Sequence, residues 1–355
     1  MDPVDDAHAV TPAWLTGALQ AGGHELVVAS VATEVIGAGQ MGATHRLHLT
    51  YRGTPGPPTL VAKLAAGDAD SRRRVASGYR NEVGFYTQLV ESLDVATPRC
   101  WFGAITDDAL TFTLVLDDLA PLRPGSQADG CTIAQADDAV RNLARLHASR
   151  WNDDSLFDLD FLPRLTEWGA SRLGGILASA TDEFVERYGH TGLDDADAAT
   201  LHAVADVITP WQLARPAPFG VLHGDYRLDN LMMPLRGQDG VVALDWQGVI
   251  VGLPARDLSY FVCTSLDVDA RREAERDLVA SYHRELVAHG VDDYELERGF
   301  DDYRFGLLQV PLTMVVGCIY ATGERSEESD RMFVTMTQRG CTAIRDLDSI
   351  ALVGD

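Results

Sequence analysis

Residues 222–233 read LHGDYRLDNLMM, a histidine, an arginine and three acidic or amide side chains enclosed by leucines and methionines. Polar side chains set this close to a core need partners or carry chemistry, because an unsatisfied buried polar group is costly. Asp225 and Asn230 stand in D-x-x-x-x-N spacing, and VVALDWQG (241–248) brings Asp245 to the end of an apolar, strand-like run. The leucines and methionines read as anchors of a loop, and the carboxylates and amide as the groups that loop presents.

Composition limits what the loop can serve. The 355 residues, 46% of them hydrophobic, suffice for two ordinary domains or one large two-lobed one. The first twenty residues, MDPVDDAHAVTPAWLTGALQ, lack the basic start and apolar run of a secretory signal. The most apolar segment, LLQVPLTMVVGCIYA (307–321), falls short of the roughly 20 residues of a spanning helix and contains Pro311 and Gly317, which predicts a buried helix and no membrane partner. Five widely spaced cysteines without a CxxC pair fit reduced thiols and a cytoplasmic location. A formal charge of −24 opposes nucleic-acid binding, which needs clustered Lys and Arg, and suits a solvated acidic surface or a cationic ligand.

Of the 29 basic residues, Lys63 is the only lysine. It lies in TLVAKLA (59–65), where Leu60, Ala62 and Leu64 alternate with Val61, Lys63 and Ala65, as in a strand with little polar character on either face. Upstream, Gly37, Gly39 and Gly42 form a GxGxxG pattern in GAGQMG. A dinucleotide-binding turn would lead into a helix, but Leu47, Leu49 and Tyr51 alternate, so a strand follows and the pattern predicts a glycine hairpin whose backbone can close on phosphates. Downstream, RRRVASGYRNEVGFYTQLVESL (72–93) has helical spacing, with Glu82 beside its apolar stripe. Hairpin, strand lysine and helix glutamate in that order build the upper lobe of a kinase-like fold.

CWFGAITDDALTFTLVLDDLAP (100–121) then predicts two strands joined at Asp107 and Asp108, with backbone near Asp117 and Leu119 meeting an adenine edge where the chain crosses to a second lobe. From about residue 120 the pattern turns helical, beginning with AQADDAVRNLARLHASRW (134–151). The expectation is therefore α+β and protein-kinase-like in two lobes. Residues 1–118 form an antiparallel sheet plus helix, and 119–355 a larger, mainly helical lobe. Phosphoryl transfer needs a carboxylate near the attacking hydroxyl, oxygen ligands for magnesium, and donors on the phosphates. Asp225, the pair Asn230 and Asp245, and Lys63 with the glycines are candidates for those three roles.

HGDYRLDN, VVALDWQ and the short bridge to PARDLSYF, with the LARLHASRW helix, resemble the aminoglycoside phosphotransferase and choline kinase superfamily. DWQ followed closely by RDLSYF looks most like its ecdysteroid-kinase-like members. The resemblance covers roughly residues 30–265 in motif order. It implies ATP and Mg2+ as cofactors, Asp225 as catalytic base, Asn230 and Asp245 as magnesium ligands, and Lys63 paired with Glu82 on the phosphates. His223 reads as a structural anchor, and Asp257 as a partner of loop backbone. Arg227 joins Asp225 among the catalytic candidates: it sets a cation near the transferred phosphate or pairs with Asp229.

Only about ten residues separate Asp245 from the RDLSYF helix, too few for the activation segment of a protein kinase, so the acceptor is expected to be a small-molecule hydroxyl. Its pocket is expected from segments around 155–215, with Trp168, Tyr188 and Trp211, and from helices over 271–289, 300–321 and 328–347. Monomer and homodimer stay equally open. A nucleotide-binding module without turnover is the alternative from another class. It is favoured where Lys63, Asp225, Asn230 or Asp245 is missing, and all four are present.

Overall fold

Alternating apolar residues account for a five-stranded antiparallel sheet in the N-terminal region. A computed structural model describes residues 1–38, 42–190, 192–235, 238, 240–320 and 326–354. The chain divides into two units, one of Met1–Glu91, Thr97–Arg123 and Leu244–Gly248, the other of Ser92–Ala96, Pro124–Ala243 and Val249–Asp355.

In the first unit, α1 (Pro12–Ala21) precedes β1 (Val28–Ala38), β2 (Gly42–Tyr51) and β3 (Thr59–Ala65). After α2 (Ala69–Gly84) come β4 (Cys100–Ile105) and β5 (Phe112–Asp117), and the sheet order is β1-β2-β3-β5-β4. Strand β3 is central. Its Leu60, Ala62 and Leu64 are buried in a core with Leu15 and Leu19 of α1 and Phe102 and Val115 of the neighbouring strands. Lys63 belongs to the alternate set and pairs in register with Thr44 and Leu114. Asp68 caps α2 by accepting the Ser71 N–H, which satisfies one of the free donors of the first turn.

Regular α-helix was expected to run to residue 93, but it ends at Gly84 and continues as a π-helical segment, Phe85–Leu89. The wider turn carries Phe85, whose ring stacks on Trp246 at 3.7 Å and 8°. Periodicity of the apolar stripe did not register this change, because Phe85, Tyr86 and Leu89 are buried in either winding.

The second unit is mainly helical. After β6 (Arg123–Pro124), at the boundary of the units, it contains α3 (Ile133–Ser149), α4 (Glu167–Tyr188) and α5 (Asp195–Ala214). Short strands β7 (Gly220–Leu222), β8 (Leu231–Met233), β9 (Val242–Ala243) and β10 (Ile250–Gly252) follow, with β8 paired to β9 and β10 to β7. Helices α6 (Ala255–Ser265), α7 (Val268–Ala288), α8 (Leu296–Gly306), α9 (Gln309–Tyr320) and α10 (Glu327–Asp346) complete it. Thr132 and Gln135 form a reciprocal capping box that starts α3.

The apolar 307–321 stretch lies mostly in α9, whose Val310, Leu312, Met314, Val315 and Cys318 join the unit's core. Leu296–Tyr320 is long and apolar enough by composition to span a membrane, yet 67% of its most apolar window is buried and a turn at Leu307–Leu308 divides it. Tyr188 and Trp211 are core residues, whereas Trp168 is exposed. Gly306 permits the close approach of α8 to α6, since a Cβ there would stand 2.5 Å from Ser259 Oγ and 2.7 Å from the Ala255 carbonyl.

Helix α10 is tied down at its C-terminal end. Arg271, buried, pairs with Glu275 at 2.9 Å and with Asp346, and Arg272 grips Asp346 at 2.8 and 3.0 Å. Arg272, then Arg271, hold the Asp346 carboxyl below its usual 3.8, although burial opposes them. A folded-state value below the unfolded one stabilises above the unfolded pKa and is lost as pH falls through the folded value. Asp346→Asn should therefore cost about 1.5–3 kcal/mol near neutrality. Urea unfolding should show the gap from wild type closing below about pH 4. An equal gap at pH 7 and pH 3 would show that the pair does not set it.

Candidate active site

Each unit carries a cluster of the site residues expected from the sequence. In the first unit, the central position of β3 places Lys63 deep in the sheet, where its Nζ contacts Glu82 Oε1 of α2 at 2.7 Å and Asp245 Oδ1 at 3.0 Å. Burial alone would drive the ammonium toward neutrality, but the Asp245 and Glu82 carboxylates outweigh it and Lys63 stands above its usual value. Glu82 is displaced upward because burial penalises its charge more than Lys63 relieves it. Gln247 Nε2 donates to the second oxygen, Glu82 Oε2, at 3.1 Å, so both oxygens of this buried carboxylate are engaged. The Gln247 carbonyl in turn accepts from Asn81 Nδ2 at 3.1 Å.

Asp245 reaches the cluster from a strained backbone. Its φ of +61° lies in the left-handed region, sparsely used by residues other than glycine and tolerated best by Asn and Asp. The next residue, Trp246, stacks on Phe85 and donates its indole N–H to Thr97 Oγ1 at 3.2 Å. Packing of that ring fixes the turn that aims Asp245, whose side chain remains 42% exposed.

The glycine pattern is only partly visible. Gly39 lies outside the described residues. Gly37 lies one residue before the end of β1, opposite Thr44, and Gly42 opens β2, where a Cβ would lie 3.1 Å from the Leu64 carbonyl and 3.6 Å from Lys63 Cε. Gly42 thus lets the hairpin backbone approach the lysine closely. Asp117, three positions along the sheet from the partner of Lys63, accepts the Trp101 indole N–H at 2.7 Å, and the Leu119 carbonyl accepts the Leu122 N–H at 2.9 Å.

In the second unit, β7 delivers the chain into the 223–230 loop. Asp257 of α6 holds the loop's backbone: one carboxylate oxygen accepts the His223 N–H at 2.6 Å and the other the Gly224 N–H at 3.1 Å. Gly224 adopts a φ of +81°, which favours glycine. His223 is fully buried, and its Nδ1 accepts the Asp225 N–H at 3.3 Å, an anchoring position. Tyr226 points into the core and donates to the Ala139 carbonyl at 2.9 Å.

Asp225 is held from three directions. Tyr260 Oη donates to its Oδ1 at 2.7 Å, while Arg227 Nε at 3.2 Å and Asn230 Nδ2 at 2.9 Å donate to its Oδ2. The side chain is still 35% exposed, so a hydroxyl can approach it. Burial and the Asp225 carboxylate push the Tyr260 hydroxyl well above its usual value, which keeps it a donor. Asn230 also donates to the Asp225 carbonyl at 2.9 Å, leaving its Oδ1 turned away from both acceptors. Arg227 pairs with Asp229 as well as Asp225, and these carboxylates raise its guanidinium despite burial. Asp229 accepts the Gln127 N–H at 3.0 Å, so the arginine is part of a fixed network.

Tyr260 and Gln247 escaped sequence reasoning, though a signal for Tyr260 existed. Tyr260 follows Asp257 by three residues, the spacing that puts two side chains on one helix face. Gln247 sits two residues beyond Asp245 in DWQG, but nothing in that spacing indicates that it turns back to Glu82.

A model of the ecdysteroid kinase-like family matches residues 37–291. No curated protein matches the chain by sequence. Similar solved structures include choline kinase from Cryptosporidium parvum Iowa II (TM-score 0.58, 9% identity, 91% of each chain covered). Plasmodium vivax ethanolamine kinase gives 0.53 at 13% identity over 89% of this chain and 83% of that one. The GDP complex of aminoglycoside 2'-phosphotransferase-IIIa gives 0.52 at 13% identity over 93% and 98%. At such identities the likeness establishes the fold, which is kinase-like and α+β.

Proposed function

The chain belongs to the ecdysteroid kinase-like family, and from that premise we propose that it transfers the γ-phosphate of ATP to a hydroxyl of a small molecule. The observation that carries the reading is the setting of Lys63: the only lysine of the chain is buried in the central strand and contacts both Glu82 and Asp245. Lys63 holds the phosphates of the nucleotide, Glu82 orients it, and the backbone at Gly37 and Gly42 approaches the same phosphates. Backbone at Asp117 and Leu119 meets the adenine edge.

Asp225 orients the acceptor hydroxyl and takes its proton as the oxygen attacks phosphorus. Tyr260, Arg227 and Asn230 hold that carboxylate in one rotamer, and Arg227 adds positive charge beside it. The donor set suits magnesium, a hard cation that binds one or two protein oxygens together with substrate phosphates. Asn230, through the Oδ1 not aimed at Asp225, and the exposed Asp245 carboxylate would hold it. Bound there, the ion would neutralise phosphate charge.

The acceptor is an alcohol of the aminoglycoside, choline or steroid type, and the reaction belongs in the cytoplasm. An ADP-release screen over a panel of such alcohols tests the proposal. Release should depend on one acceptor class and vanish without magnesium. Silence across all classes with nucleotide still bound would favour a binding module without turnover.

A further inference from the structure

A cavity of about 170 Å³ in the second unit lies apart from the 223–230 loop. It adjoins Val251 and Gly252 of β10, whereas Leu222, the β7 residue that leads into the loop, pairs with Ile250. Its wall holds four aromatic rings, Phe157, Trp211, Phe219 and Phe305, and two partly exposed leucines, Leu165 and Leu213. Three guanidinium groups also face it, those of Arg164, Arg215 and Arg256.

Two of these cations are neutralised. Arg164 pairs with Asp154, and Arg215 with Asp301 and Asp302. Arg256 differs: among the described residues no carboxylate lies within ion-pair distance of it. Its Nε and Nη2 both donate to Gln309 Oε1, at 2.8 and 2.5 Å, and its guanidinium lies 4.6 Å from the centre of the Trp211 ring. A neutral amide oxygen and an aromatic face stabilise a buried cation only partly. Burial consequently pulls Arg256 down to about 10, against the weaker opposing influence of Asp257. Every other residue of α6 is buried, and Arg256 alone keeps partial exposure, where it lines the cavity.

Nη1 is the part of this guanidinium left for a ligand. Among the described residues it makes no hydrogen bond, and it lies beside Gly252, whose missing Cβ would stand 3.5 Å from it. We infer that the cavity is a binding site for a small organic carboxylate with a one-ring apolar body, its carboxylate on Arg256 Nη1 and its ring among Trp211, Phe219 and Phe305. The size agrees, since a cavity of roughly 150 Å³ accommodates benzene. The chemistry agrees too, because a charge-assisted hydrogen bond from arginine to carboxylate is worth more than its neutral counterpart. The assignment is independent of the phosphotransfer proposal, as none of its residues belongs to the Lys63 or Asp225 cluster.

The test uses the full-length protein and benzoate as probe, with binding read by saturation-transfer NMR and calorimetry. Benzoate should bind with a dissociation constant of roughly millimolar order, as its few heavy atoms allow. Its neutral isostere benzamide should bind at least about 10-fold more weakly, the loss of one charge-assisted bond. Arg256→Met keeps the apolar stem over Trp211 and should abolish the preference for the anion. Gly252→Ala sets a methyl group against Nη1 at ordinary contact distance and should weaken benzoate without affecting the 223–230 loop; it decides the matter should Arg256→Met fail to fold. Equal binding of benzoate and benzamide, or undiminished benzoate binding in the folded variants, would overturn the assignment. Inorganic phosphate binding as tightly as benzoate would also overturn it, by showing a bare anion site with no role for the rings.

Discussion

Asp225→Asn should leave a folded protein that still binds nucleotide and turns over roughly 10²- to 10⁴-fold more slowly, the range lost with a general base. The substitution is isosteric, so acceptor geometry changes little while the proton acceptor disappears. Tyr260 can still donate to the remaining amide oxygen. Arg227 and Asn230, however, both donate to Oδ2, and an amide NH2 at that position cannot accept from them. A modest loss of about 1–3 kcal/mol in stability should accompany the loss of turnover, and Arg227 retains Asp229. Single-turnover kinetics with the best acceptor, alongside nucleotide titration, separates the effects. Turnover within a few-fold of wild type would end the assignment of Asp225 as base.

Lys63→Met should damage both nucleotide use and stability, and the two losses can be separated. Removing the ammonium leaves Glu82 buried with only the Gln247 amide beside it, a situation that costs about 3–5 kcal/mol when one member of a buried pair is deleted. Glu82 already stands above its usual value through burial, so it should answer by holding a proton to higher pH. The double variant Lys63→Met with Glu82→Gln removes the unpaired charge and should recover most of the stability, read by urea unfolding. Turnover should stay low, because phosphate binding needs the cation rather than a neutral, well-packed strand. If turnover returned with stability, Lys63 would be no more than a structural partner of Glu82.

How legible these two clusters were depends on how local their information is. TLVAKLA shows an isolated cation in an apolar strand because strand alternation has a period of two and extends over seven residues. HGDYRLDN shows Asp225 and Asn230 because six residues of loop carry both, and the structure closes that loop by an Asn230 bond to the Asp225 carbonyl. The helix around Glu82 was legible in position but not in winding, since a π turn and an α turn bury the same apolar residues.

Other features arise from pairings that no spacing encodes. Asp245 reaches Lys63, 182 residues away in sequence, only because Leu244–Gly248 joins the first unit and Trp246 packs on Phe85. Tyr260 meets Asp225, and Gln309 meets Arg256, across helices whose order in the chain says nothing of their contacts. Trp168 and Trp211 read alike as aromatic residues in a helical segment, yet one is exposed and the other lines a cavity. Local patterns specify which groups a strand or loop presents, because backbone periodicity acts over a few residues. Partners, burial and cavities depend on how distant elements close around those groups, and only the folded chain decides that.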